Sequence, residues 1–123
     1  GWDLSANSEK LSPLVRYLQE NNIRVSLFVD SSKRSVEMAK AIGSDRVELY
    51  TGPYAGSYKS LNKTKVLNTY SSAAKIAHSL GMGVNARHDL NLENLAEFCK
   101  AVEPLQEVSI GHAIISDALW LGL

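Results

Sequence analysis

Four short apolar runs, at 23–29, 46–50, 83–85 and 107–110, are each followed by a stretch with helical periodicity, and one more helical stretch precedes the first. Strand then helix, four times over, commits a chain to parallel pairing, because parallel neighbours need a crossover where antiparallel ones need only a tight turn. Right-handed crossovers then carry the helices outside the sheet. Two architectures satisfy this order: an open doubly wound sheet, or part of a (βα)8 barrel.

The leading helix is expected to start at Ser12-Pro13, with serine as cap and proline in the first turn. Leu11, Leu14, Val15 and Leu18 form its stripe, and Asn21-Asn22 end it. Ile23 to Val29 reads as a strand buried on both faces, stopped by Asp30-Ser31-Ser32, which also caps the next helix. That helix turns Val36, Ala39 and Ile42 inward and closes at Gly43 in a left-handed conformation. After Arg46–Tyr50, the stretch Thr51–Tyr58 reads as a Gly/Pro/Tyr loop, lining a site or packing on the core. A long helix from Lys63 to Leu80 carries an apolar stripe through Leu67, Tyr70, Ala74 and Ala77. The helix expected to begin near Asn91 turns Leu92, Leu95, Phe98, Cys99 and Val102 inward and is ended by Pro104.

The last two strand-to-helix junctions share a design. One strand gives way to Arg87-His88-Asp89, and the other stops at Gly111-His112 directly before a helical run. A strand that ends in glycine and feeds a helix offers bare N–H groups and the positive end of a helix dipole, which suits a phosphate. In a barrel, phosphate is often held by the loops after strands seven and eight.

Partners narrow by charge. Thirteen Lys plus Arg balance thirteen Asp plus Glu, which leaves no footprint for nucleic acid or an acidic membrane surface. Cys99 is the single cysteine and cannot form an internal disulfide, and no apolar run reaches the length of a membrane span, so a cytoplasmic protein is expected. Residues 1–123 are read as one domain, large enough to bury a core. Gly1-Trp2-Asp3-Leu4 and the apolar stretch from Ala118 to Leu123 lack polar fraying, so both ends read as cut.

Four motifs in order carry a resemblance: Arg24-Val25-Ser26-Leu27-Phe28-Val29-Asp30; Glu48-Leu49-Tyr50-Thr51-Gly52-Pro53-Tyr54-Ala55; Val84-Asn85-Ala86-Arg87-His88-Asp89-Leu90-Asn91; and Ser109-Ile110-Gly111-His112-Ala113-Ile114-Ile115-Ser116. Together they closely resemble the pyridoxine 5′-phosphate synthase family. They match its C-terminal half, from just after strand four to the first turn after strand eight. The resemblance implies the C-terminal half of a (βα)8 TIM barrel, with strands five to eight behind one helix. It also implies a ring-closing condensation of 3-amino-2-oxopropyl phosphate with 1-deoxy-D-xylulose 5-phosphate, without metal or organic cofactor, in a homo-oligomer.

By that resemblance His88 is the proton donor, and Asp89 (through its N–H), Gly111 and His112 clamp the substrate phosphate. Arg87 stands where the family usually has glycine, and Tyr50 where some members have histidine. The family's other catalytic histidine, its catalytic glutamate and the grip on the second substrate belong to strands one to four, so this chain alone is expected to be inactive. The competing reading is a non-catalytic half-barrel that self-associates or binds phosphate esters.

Elementary chemistry agrees with the roles named. Dehydrations and carbonyl condensations need proton transfer near neutral pH, where histidine exists in both protonation states. A phosphate would repel the Asp89 carboxylate, which is expected to turn away and cap the helix near Asn91. Arg87 is expected to face solvent, His78 to be an ordinary helix residue, and the Glu97, Lys100, Glu103 and Lys59, Lys63, Lys65 groups to be surface charge.

Overall fold

The computed structural model describes residues 3–122, so Gly1, Trp2 and Leu123 of the apolar ends lie outside the described residues. β1 (Ser26–Val29), β2 (Arg46–Tyr50), β3 (Gly83–Arg87) and β4 (Glu107–Ser109) form one sheet in that order, every pair parallel. α1 (Leu4–Glu20) leads, α2 (Lys33–Ile42) joins β1 to β2, and α3 (Gly52–Ser57) with α4 (Lys63–Ser79) joins β2 to β3. α5 (Leu95–Ala101) joins β3 to β4, and α6 (His112–Leu121) follows β4.

This order decides between the two architectures. A doubly wound sheet reverses its strand order at a switch point; here the order never reverses, so right-handed crossovers lay the helices that join the strands on the same side. The chain forms an α/β half-barrel.

The pleat explains the core. Val29, Val47, Leu49, Val84 and Ala86 point to the helical side and are buried, against Val36 and Ala39 of α2 and Tyr70, Ala73, Ala74 and Ala77 of α4. Tyr54, Tyr70 and Phe98 meet there with ring centroids 5.1–6.4 Å apart. Burial pushes the Tyr54 and Tyr70 phenols up to about 12.

The other face, toward the barrel axis, is polar. Asn85 and Glu107 pair in register, and Arg46 reaches them from the row before, with its Nη1 2.9 Å from Asn85 Oδ1 and 3.0 Å from Glu107 Oε1. Arg24 adds a second ion pair to Glu107 at 3.0 Å. Glu48, in register with Asn85, meets Arg87 of the next row at 3.5 Å and accepts from the Ser109 hydroxyl at 3.4 Å. β1 is therefore not buried on both faces: Phe28, in register with Glu48 on the axis side, is only partly covered because no layer packs there.

Several local expectations shift for identifiable reasons. α1 begins at Leu4 because Asp3 Oδ1 accepts the N–H groups of Ser5 and Ala6; Pro13 lies inside the helix. β1 starts at Ser26 because residues 21–25 are spent on the α1 exit, where Asn22 is left-handed (φ 61°) and Ile23 N–H returns to Leu18 O. The stretch after Tyr50 is helix α3, started by Pro53 in its first turn. α5 begins at Leu95, since Asn91 and Asn94 bond one another's backbone in a turn, and this leaves Leu92 73 % exposed. Cys99 is exposed rather than inward. Lys63 pairs with Glu97 of the neighbouring helix at 2.8 Å, and His78 is exposed on α4.

The β1–β2 junction is tied by charge. The Val25 N–H donates to Asp45 Oδ2 at 2.7 Å, and that bond holds the Asp45 carboxyl below the usual carboxylate range. A depressed folded-state pKa stabilises the fold in full above the unfolded value, and the contribution fades as pH falls through the folded one. Asp45→Ala is expected to cost about 1 kcal/mol near pH 7 after solvent screening. Urea unfolding of both proteins should show that gap closing as pH falls below the ordinary carboxylate range.

Candidate functional site

Strand register sets the site. Arg87 pairs with Ser109, so β3 and β4 end side by side, and the residues beyond them emerge at one level. His88, Asp89, Gly111 and His112 border a single open groove of about 890 Å³. The four residues singled out in the sequence are brought together.

His88 is held by its main chain. Its N–H donates to Thr51 Oγ1 at 3.1 Å, the Thr51 hydroxyl donates back to the His88 carbonyl, and Thr51 N–H donates to Arg87 O at 2.9 Å. Thr51 is fully buried, so these bonds are shielded from water. The imidazole stays about half exposed in the groove, and the Tyr50 ring meets it edge-on at 6.4 Å. Gly52 allows that placement of Tyr50, since a Cβ there would collide with the tyrosine ring.

Asp89 departs from expectation. Its backbone is left-handed (φ 54°), and its carboxylate lies 3.6 Å from His88 Nδ1, an ion pair whenever the imidazole is protonated. It does not cap a helix. Asn91 instead holds the turn ahead of α5, accepting from the N–H groups of Glu93 and Asn94 at 2.9 and 3.1 Å. Buried Asn94 secures the turn by donating its Nδ2 to the Asp89 carbonyl at 3.1 Å.

The α6 entrance has the features expected of an anion site. Gly111 precedes the helix with no side chain capping it, so the first-turn N–H groups are left to the groove. Among the described residues, the N–H groups of Asp89, Gly111 and His112 find no acceptor within the chain. No group of three or more His, Cys, Asp or Glu among the described residues is placed to hold a metal.

Arg87 is exposed, as expected, but does not stand free. Its guanidinium lies 3.5 Å from Glu48 and its central carbon 5.6 Å from the Phe28 ring centroid, flat along the axis side of the sheet and bordering the groove. Sequence reasoning missed Glu48, Thr51 and Asn94. For Glu48 the signal was present: Arg46, Glu48 and Tyr50 alternate with Val47 and Leu49, which puts the polar three on one face. Thr51 and Asn94 carried none, since their partners lie 37 and 5 residues away on main-chain atoms. Tyr54, weighed as a site residue, is core; its hydroxyl donates to Asn94 O at 2.9 Å.

A one-sided layer of parallel strands with a groove at the strand C-termini defines the class: a (βα)-barrel protein of the kind that works at that end of its strands. A family model described as pyridoxal phosphate biosynthesis protein PdxJ matches residues 1–123, and the chain belongs to that family. It is 50% identical over 123 residues to a pyridoxine 5′-phosphate synthase of Bacteroides thetaiotaomicron, covering 100% of this chain and 52% of that protein. It is 49% identical over 123 residues to one of Parabacteroides distasonis (100% and 51%) and 46% identical over 122 residues to one of Albidiferax ferrireducens (99% and 48%). The chain thus spans about half the length of these curated relatives. No helix among the described residues is long and apolar enough to cross a membrane.

The Tyr54–Asn94 bond offers a local test. Asn94 O also accepts the Phe98 N–H at 3.2 Å, so it keeps one partner when the phenol oxygen is removed. Tyr54→Phe is therefore expected to cost only about 1 kcal/mol in urea unfolding, with the ring cluster intact.

Proposed function

We propose that this chain is the C-terminal half, strands five to eight, of a cytoplasmic pyridoxine 5′-phosphate synthase. The reaction is the ring-closing condensation of 3-amino-2-oxopropyl phosphate with 1-deoxy-D-xylulose 5-phosphate, needing no cofactor. What supports the reading is the convergence on one groove of one half-exposed histidine and three N–H groups without acceptors among the described residues.

In this reading the phosphate of the amino-oxopropyl substrate sits on the N–H groups of Asp89, Gly111 and His112, at the positive end of α6. Backbone donors fixed by the fold bind it without reorganisation. Anchored there, the substrate's carbon chain lies within reach of His88, which donates a proton to a departing oxygen as water is lost. The Asp89 carboxylate, on the imidazole side of the turn, offsets the charge of the protonated ring. The remaining catalytic groups come from the first four strands, and the active enzyme is a homo-oligomer.

Open edges at β1 and β4, together with exposed Ile114, Ile115, Leu119 and Trp120 on α6, support a surface that another half must cover. The rival reading uses those edges for self-association of a non-catalytic half-barrel. The two part when this chain is mixed with the N-terminal half of a relative and formation of pyridoxine 5′-phosphate is followed. Turnover supports the synthase; phosphate binding without turnover supports the rival. In the active mixture His88→Gln is expected to lower the rate 10²–10⁴-fold. Asp89→Gly keeps the N–H and loses the carboxylate, and is expected to cost less than about tenfold; a loss equal to that of His88→Gln would overturn the reading that Asp89 acts chiefly through its N–H.

A further inference from the structure

We infer that Thr51 and Asn94 are positioning residues that preset the His88–Asp89 turn for an anion, a reading that rests on the phosphate site proposed above. The two side chains grip the turn from opposite ends. Thr51, the first residue past β2, takes both the N–H and the C=O of His88, while Asn94, at the entrance of α5, takes the C=O of Asp89. Both are buried, at 0 % and 2 % exposure, yet neither side chain belongs to the apolar core.

The turn needs holding. Asp89 is non-glycine with φ 54°, a conformation that L-residues rarely adopt and that persists only where surroundings enforce it. That conformation points successive main-chain groups in different directions. The Asp89 C=O is turned inward to Asn94, and its N–H is left without an acceptor among the described residues, at the border of the groove. An unsatisfied donor is tolerable at a groove that water or an anion can fill, and a fixed one binds an anion better than a mobile one because no ordering cost remains.

The clamp is itself braced. Asn94 Oδ1 accepts the Asn91 N–H at 3.0 Å, and Tyr54 donates to Asn94 O, so the Asn94 amide has one orientation open to it. Thr51 is fixed from its own side by its N–H bond to Arg87 O. Geometry thus passes from the aromatic core through two uncharged side chains to the groove.

The test uses this 123-residue chain, inorganic phosphate as probe, and proton–nitrogen NMR. Thr51→Val keeps the shape and removes both bonds to His88; Thr51→Ser keeps the hydroxyl. Two quantities are read: hydrogen exchange of the His88 amide relative to the Val84 and Leu49 amides of the core, and phosphate affinity from the Asp89, Gly111 and His112 amide shifts. The expected result is exchange about tenfold faster at His88 alone and phosphate binding about tenfold weaker in Thr51→Val, with Thr51→Ser close to the native chain. Unchanged exchange, or faster exchange with phosphate affinity unaltered, overturns the inference. If native amides ignore phosphate, the phosphate reading falls, and exchange decides for the clamp: protection lost in Thr51→Val and kept in Thr51→Ser upholds it, and any other pattern overturns it.

Discussion

Parallel register is the constraint on which the rest depends. Tyr50, Arg87 and Ser109 lie in one row across β2, β3 and β4, so the three strands finish level and everything that follows them collects at one height. A slip of one residue on any strand would exchange its two faces, sending Glu48 or Asn85 among the helices and Leu49 or Ala86 toward the axis. Burial of Val47, Leu49, Val84 and Ala86 against α2 and α4 forbids that exchange, so the apolar core fixes the groove without touching it.

Two kinds of polar structure hang on that register. On the axis side, Arg46, Asn85 and Glu107 form a lateral chain of hydrogen bonds, and Arg87 with Glu48 forms a shorter one nearer the groove. At the strand ends, by contrast, bonds run to the main chain, from Thr51 to His88 and from Asn94 to Asp89. The first set relates side chains to each other; the second aims the backbone. An anion read by N–H groups needs the second, which is why a change at Asp89's side chain and a change at Thr51 are different experiments.

Much of this was legible in the sequence. Apolar runs followed by helical periodicity gave the parallel order, and glycine before a helix at Gly111-His112 marked the entrance of α6 at the groove. What stayed hidden has physical causes. Ser12-Pro13 looks like a helix start because local chemistry favours one there, yet Asp3 already caps the helix nine residues earlier, and tertiary burial of Leu4, Leu11 and Val15 outweighs the lost proline donor. Tyr54 looks like a loop aromatic until Phe98 and Tyr70, distant in the chain, close around it. The two faces of β1 differ only because one has helices behind it, which no window of neighbours can reveal.

The polar axis face carries a consequence for what the half-barrel leaves uncovered. Its charges are already matched within the four strands, Arg46 and Arg24 with Glu107, Arg87 with Glu48, so this surface is wettable as it stands. A half-barrel lined this way needs no second apolar layer on its axis side, because its strands already bury their apolar residues against its own helices. The apolar surface left uncovered among the described residues gathers at the rim, on α6, rather than in the middle.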